Sequence, residues 1–331
     1  MIELRLGVAD LANLRFALSP LWEVTASIRV LKAPAEHRLH QRWVRAAAER
    51  LRGMDLRLLF DLVPVPTDGL PAFLAPPPAT SMPDLATELA AMRRLEPERF
   101  RSGLDMLPAT PAVEAFAADL DAGAERLAGM VERYWEAALA PWWPRIRTLC
   151  ERDLLHRSRL LAEGGAQRLF ADLAAPVSWD REGVLRIDSP FRVSESLDGR
   201  GLLLVPTVFG GDRIFSLTAA PWQPTVRYPP RGLGLLWQAG APQAAGALAG
   251  VVGPTRAGLL AALGEPASTT DLADRCGLSM GGVSQQLGLL HAAGLVTRHR
   301  VGRRVLYART VAAEALLHAG GERLPRSGPG Y

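Results

Sequence analysis

A chain of 331 residues, 48% hydrophobic and 22% charged, is long enough to bury the cores of two domains and is too apolar to be a disordered tail. Its two cysteines, Cys150 and Cys276, are far apart and exclude a disulfide framework or a cysteine-rich zinc site, so a soluble protein of a reducing cytoplasm is expected. The net charge of +4 is unevenly placed: nine of the 38 Lys+Arg and five of the 34 Asp+Glu follow Gly253, leaving 29 of each before it, so the basic excess belongs to the C-terminal end and points that end toward a polyanion.

In chain order, Ile2-Glu-Leu-Arg-Leu6 alternates apolar and charged residues and reads as an edge strand. No apolar core of signal length follows Met1 and no later run approaches a bilayer span, so no membrane partner is expected. Ser19-Pro20 is a helix start, a hydroxyl N-cap before a proline at the first helical position, for a helix running toward Leu31. Glu36 to Arg52 predicts an amphipathic helix with Trp43, Ala47 and Leu51 on one stripe, and Met54 to Val63 is apolar enough for a buried helix. Proline-rich loops follow at Pro64 and Ala75, then helix from Pro83 to Leu95 and a helical turn at Pro97.

From Pro111 an apolar-periodic run extends to Leu173, with breaks expected at Pro141, Pro144 and Gly164-Gly165, and with Trp135, Trp142 and Trp143 as bulky core elements. The texture changes at Pro176. Val177–Trp179, Val184–Asp188, Leu202–Val205, Arg213–Leu217 and Thr225–Tyr228 are short and β-prone, separated by Asp198-Gly199 and Gly210-Gly211-Asp212, and predict a small antiparallel sheet. Gly232 to Gly250 returns to helix propensity, and Gly253-Pro254 is the expected hinge.

Beyond the hinge the pattern is denser. Leu259, Leu260 and Leu263 belong to one helix; Thr269-Thr270 caps the next, which ends at Cys276 before the turn residue Gly277. Ser279 caps a third helix, with Leu278 and Val283 at hydrophobic-staple spacing. Val283, Leu287 and Leu290 fall on one face, and Met280, Gly281, Ser284 and Gln285 on the other. Arg298, His299, Arg300, Arg303 and Arg304 bracket a hairpin tip at Val301-Gly302, and no acid occurs from Thr297 to Thr310. Helix, helix, turn, helix and basic hairpin is the order of a winged helix-turn-helix. Its third helix would enter the major groove of double-stranded DNA, where Gln285 and Ser284 can read bases, while the arginines hold phosphates. The expected DNA-binding residues are Thr269, Ser279, Met280, Gly281, Ser284, Gln285, Arg298, Arg300, Arg303 and Arg304.

Val283-Ser-Gln-Gln-Leu287, Leu290-His-Ala-Ala-Gly-Leu-Val296 and Gly302-Arg-Arg-Val-Leu-Tyr307 resemble the ArsR-type winged-helix repressors. The usual family pattern is Val-Ser-x-His-Leu, Leu-x-x-Ala-Gly-Leu-Val and a Gly-Arg-x-x-x-Tyr wing; Gln286 stands here in place of the His. The resemblance covers roughly residues 250–320 and implies a bacterial repressor that binds DNA as a homodimer. Metal-sensing relatives carry Cys-x-Cys before the turn, whereas this chain has the lone Cys276, so no metal and no cofactor is implied. Phe16–Trp22 and Gly201–Phe209 resemble an uncharacterised domain found ahead of such modules in bacterial regulators, which carries no known ligand.

Other constellations are weaker. Glu36, His37 and His40 lie at i, i+1 and i+4, which can put Glu36 and His40 on one helical face, but a metal would need a third ligand, and a solvated, partly packed face is the simpler reading. Dinucleotide, phosphate-loop and nucleophile-elbow motifs do not occur, so an enzyme is not expected. All eight tryptophans precede the DNA module; core packing accounts for most, and aromatics with arginines can also line a small-molecule effector pocket. A small-molecule sensor and a protein-interaction adaptor built on a winged helix are the alternatives. The expected fold is mainly α with a small antiparallel β part. It comprises an N-terminal helical α+β domain over 1–250 (regulatory or dimerising), a winged helix-turn-helix over 254–320 and a flexible tail over 321–331. Small-residue helices near 233–250 and Val311–Leu317 are the candidate dimer surfaces.

Overall fold

In the computed structural model, which describes residues 1–66, 69–174, 177–180, 182–237, 248–264, 266–276, 278–301 and 304–319, the chain opens with β1 (Ile2–Arg5), the short helix α1 (Val8–Ala12) and β2 (Arg15–Phe16). Then comes α2 (Pro20–Lys32), capped as predicted: the Ser19 hydroxyl accepts from the Trp22 amide at 3.0 Å. Residues 20–30 of α2 are all buried, so its polar side chains must find partners inside the protein. The Ser27 hydroxyl meets the Tyr134 hydroxyl at 2.8 Å. Glu23 accepts from the amides of Val208 at 2.6 Å and Phe209 at 3.1 Å.

Around α2 lie α3 (Gln41–Arg50), α4 (Arg57–Asp61), α5 (Leu85–Arg93), α6 (Pro97–Leu104), α7 (Pro111–Ala118), α8 (Leu120–Tyr134) and α9 (Trp143–Ala171). The helix expected over Glu36–Arg52 is confined to Gln41–Arg50: Trp43 and Ala47 of the predicted stripe are buried, Leu51 is half-buried just past its end, and the Trp43 indole donates to the Ala138 carbonyl at 2.9 Å. Asp84, Thr110 and Asp119 cap α5, α7 and α8 with their side-chain oxygens. The apolar run over 54–63 yields only the short α4.

Of the three expected breaks, Pro141 falls between a π-turn over Trp135–Leu139 and α9, and Gly164-Gly165 interrupts α9 with non-helical backbone. Pro144 does not break anything. It occupies the first turn of α9, where a missing N–H costs nothing. His40 is buried outright rather than on a solvated, partly packed face: it is 1% exposed, and its Nδ1 accepts from the Trp237 indole at 3.0 Å. Burial and the neighbouring His37 push it down to about 4, so it is neutral at physiological pH.

The β-prone stretch forms β3 (Val177–Trp179), β4 (Val184–Ile187), β5 (Val193–Ser196), β6 (Leu203–Pro206), β7 (Phe215–Leu217) and β8 (Thr225–Tyr228). They do not make one antiparallel sheet. Two four-stranded mixed sheets form instead, in the orders β3-β4-β1-β5 and β2-β6-β8-β7. In the first sheet the N-terminal β1 brings the mixture by lying parallel to β5, whereas in the second β6 is parallel to both β2 and β8 while β7 is antiparallel to β8. β1 is therefore an inner strand rather than the predicted edge, and Leu4 is fully buried beneath it. β5 was missed because Val193-Ser-Glu-Ser196 has one apolar residue and reads as loop.

Two units result, 1–237 and 238–331. Residues 238–247, most of the expected helix over 233–250, lie outside the described residues, as does the expected tail over 321–331. Residues 248–252 are helical, and Leu248 and Val252 pack into the core of the second unit, on the C-terminal rather than the N-terminal side of the division. Among the described residues no helix is long and apolar enough to cross a membrane. The protein is thus mainly helical with small mixed sheets, an N-terminal α/β region followed by a helix-turn-helix unit with a hairpin.

Candidate nucleic-acid interface

The second unit is built on three helices, Pro254–Ala262, Thr269–Cys276 and Met280–Ala292, with a short strand, Ala267–Ser268, before the second. Leu259 and Leu260 from the first, Leu272 from the second and Val283 and Leu287 from the third are fully buried against one another. Apart from Leu272, this set is what the helical spacing of the sequence specified.

The second helix is capped one residue earlier than expected. Ser268, not Thr269 or Thr270, takes the role: its hydroxyl accepts from the Asp271 amide at 3.2 Å, and the Asp271 carboxylate accepts from the Ser268 amide at 3.0 Å. That reciprocal pair is a capping box with Asp in place of Glu. Thr269 is half-buried at the helix start and Thr270 is exposed, its hydroxyl 3.6 Å from the Met280 sulfur. Gly277, the expected turn residue, lies outside the described residues.

Ser279 caps the third helix as predicted, accepting from the Gly282 amide at 3.2 Å. The predicted staple does not form. Leu278 is 38% exposed and outside the core, and its amide bonds to the Ala273 carbonyl at 3.0 Å, which holds the turn by backbone instead. The far end of the helix closes on Gly294 at φ 70, where the Leu295 amide returns to the Leu290 carbonyl at 2.9 Å. A left-handed residue and this six-to-one hydrogen bond define a Schellman stop, which turns the chain into the hairpin.

With Val283, Leu287 and Leu290 buried, Met280, Gly281, Ser284 and Gln285 form a continuous exposed arc on the N-terminal turns. Gly288 and His291 extend the same arc, and 288 follows 281 and 284 at helical spacing, a signal present in the sequence. A Cβ added at Gly281 or Gly288 would meet nothing within 4 Å, so this face is flat and open. It carries no Asp, Glu, Lys or Arg, which leaves Ser284 and Gln285 as the polar groups nearest the positive end of the helix dipole. Gln286, at the position of the resembled family's His, is half-buried.

The hairpin pairs Val296–Val301 with Arg304–Arg309 in antiparallel register, Val296 facing Arg309 and Val301 facing Arg304. Leu306 and Tyr307 pair in turn with Ser268 and Ala267, joining the hairpin to the start of the second helix. Strand alternation places Arg298 and Arg300 on one face and His299 on the other, all three exposed, so the basic residues are not a single array. Arg303 lies outside the described residues with Gly302, and Arg304 is described only as the first residue of the returning strand. At the hairpin base, Arg309 pairs with Glu314 at 3.0 Å and donates to the Leu260 carbonyl at 3.3 Å, which anchors the strand to the first helix.

Among the described residues no group of three His, Cys, Asp or Glu is placed to hold a metal ion. Cys276 is half-buried against the core.

A capped, uncharged helix face beside an acid-free basic hairpin is the arrangement of a winged helix-turn-helix. The model of a family described as a helix-turn-helix domain matches residues 253–299, and that of a family of unknown function (DUF5937) matches residues 110–233. The first supports DNA binding by the second unit. No curated protein and no solved structure is matched by the chain.

Proposed function

We propose that the protein is a sequence-specific transcriptional repressor of the ArsR type that binds double-stranded DNA as a homodimer in the cytoplasm, without catalysis and without a metal or other cofactor. The observation that carries this reading is the pairing of an open, uncharged recognition face with a hairpin free of acids. The face admits base edges in the major groove, where Gln285 offers a donor and an acceptor to adenine. Arg298, Arg300, Arg303 and Arg304 neutralise phosphates, and Thr269 and Ser279 sit at helix starts suited to the backbone.

The homodimer draws support from the last helix, Val311–Ala319. Ala313 and Leu317 are buried in the unit's core, while Val311, Ala312, Ala315 and Leu316 are exposed on the opposite side, Val311 at 87%. A helix apolar on both faces calls for a partner, and a second copy supplies the second recognition helix that a two-fold operator needs. The N-terminal unit then serves as the input domain, receiving a small-molecule effector.

A mobility-shift assay with the DNA upstream of the protein's own gene tests the proposal. The unaltered chain is expected to shift a fragment, with log K falling against log salt by about 0.9 per phosphate neutralised. Replacing Arg298, Arg300, Arg303 and Arg304 together by Ala should weaken binding on every sequence and flatten that slope. Gln285→Ala should instead relax preference at one base position by about 1–3 kcal/mol. An unchanged slope in the arginine variant would sink the DNA reading, and no shift on any fragment would favour an adaptor that uses its winged helix for protein contacts.

A further inference from the structure

A cavity of about 260 Å³ lies in the N-terminal unit beside β7 and β8, with Trp22, Phe191, Phe215, Arg213 and Arg227 in its wall together with Asp188 and Asp212. Arg227 is the anomaly. It belongs to β8, an inner strand of the second sheet, and is only 3% exposed. Its Nη2 donates to the Ala75 carbonyl at 2.8 Å and its guanidinium carbon stands 4.1 Å from the centre of the Trp22 ring, but its Nε has no hydrogen-bond partner. The acid whose field reaches it is Glu88, which is engaged elsewhere, accepting from the Ser19 hydroxyl and the Leu21 amide at 2.7 Å each. Burial lowers Arg227 to about 10, so it remains a cation at neutral pH. A buried cation with an orphan donor is costly unless an anion completes it.

Aromatic rings share the wall with Arg227. Trp22 meets Phe215 edge to face with centroids 5.1 Å apart. The guanidinium of Arg29, 8% exposed, stands 4.9 Å from the centre of the Phe215 ring, and its Nε is likewise without a partner. Arg29 lies outside the cavity lining, so the wall offers the Arg227 guanidinium with Trp22 and Phe215 to a flat organic anion: a carboxylate fits the donors of an arginine, and a ring packs against Trp and Phe. The volume is near the lower end for small-molecule sites and suits a single ring. Asp188 and Asp212 in the wall offset Arg213 and Arg227 in charge, so an anion of several charges is disfavoured more than a monocarboxylate.

We propose that this cavity binds a small aromatic carboxylate, its carboxylate on Arg227 and its ring against Trp22 and Phe215. Binding stands on the cavity alone; that the ligand is the repressor's effector rests on the reading of the protein as a DNA-binding regulator. The test is calorimetric titration of the full chain with benzoate, with benzamide as the neutral counterpart and inorganic phosphate as an anion without a ring. Benzoate is expected to bind at least about tenfold more tightly than either control, a difference of about 1.4 kcal/mol. Arg227→Met should abolish the preference for benzoate over benzamide. If that variant does not fold, the three probes on the unaltered chain still decide. No benzoate binding, or benzoate bound no better than either control, overturns the proposal. A mobility shift with saturating benzoate separates the two readings. Benzoate binding with no DNA shift on any fragment leaves the cavity standing and removes the regulator, and a DNA shift with no benzoate binding does the reverse.

Discussion

The arginines of the two units lie in opposite environments. Arg298 and Arg300 stand exposed on a hairpin without acids, whereas Arg227 and Arg29 are buried against aromatic rings with Nε groups that have no partner. The same side chain does different physics in the two places. An exposed arginine is screened by salt, so it contributes affinity for a polyanion through its charge more than through a fixed geometry. A buried arginine is held in one pose in a weakly screening medium, so it can discriminate one small anion from a neutral molecule of the same shape. The N-terminal unit therefore has its polar groups where they govern stability and small-ligand recognition, and the C-terminal unit has them where they govern DNA affinity.

The contrast makes graded predictions. The largest effect should come from Glu23, whose carboxylate accepts from the Val208 and Phe209 amides and also faces the Thr207 hydroxyl at 3.4 Å. Glu23→Ala leaves two buried amides without an acceptor, at about 1–3 kcal/mol each, so about 2–6 kcal/mol of stability should be lost in urea denaturation. A loss below about 1 kcal/mol would mean that the 207–209 loop does not depend on this carboxylate.

Next in size is a pH effect. Burial pushes Glu23 and Glu88 up to about 7, against the pull of the Val208 and Phe209 amides on the first and of the Leu21 amide, Ser19 and Arg227 on the second. Folded, these groups hold protons that the unfolded chain has released above the ordinary 4.5. Their contribution to stability is therefore full at low pH and lost as pH rises through about 7. His40 acts with the opposite sign, its contribution being lost as pH falls below the ordinary 6.5, so near pH 7 the two carboxyls dominate. Replacing both Glu23 and Glu88 by Gln should flatten the decline in melting temperature through pH 7, and an undiminished slope would contradict the assignment. The smallest effect belongs to the exposed class: Arg298→Ala should change stability by less than about 0.5 kcal/mol while still weakening DNA binding. A larger stability loss would blur the division between the units.

Much of the second unit was legible in the sequence because its signals are local. The leucine spacing placed the core, Ser279 capped the recognition helix, and the arc at 280, 281, 284 and 285 is exposed as its period requires. The errors there concern neighbouring residues that compete for one role. Ser268 displaced Thr269 as cap because Asp271 stands three residues after it, and Leu278 stayed out because the turn is held by backbone. In the first unit, helix starts and the break at Gly164-Gly165 were readable for the same local reason.

What composition, period and turn chemistry determined on their own was therefore which segments are helix or strand and where the winged helix-turn-helix lies. Tertiary structure alone decided what those elements meet. Strands at residues 2–5 and 15–16 pair across nearly the whole first unit with β4, β5 and β6, and β6 pairs parallel with β8; these long-range choices have no local signature, and they turned an expected antiparallel sheet into two mixed ones. Burial of Glu23, Arg227 and His40 likewise depends on partners up to about two hundred residues away in the chain, at Val208, Ala75 and Trp237. A charged residue in a sequence reads as solvated until the fold removes its water, and the cavity beside Arg227 exists only because this fold did so.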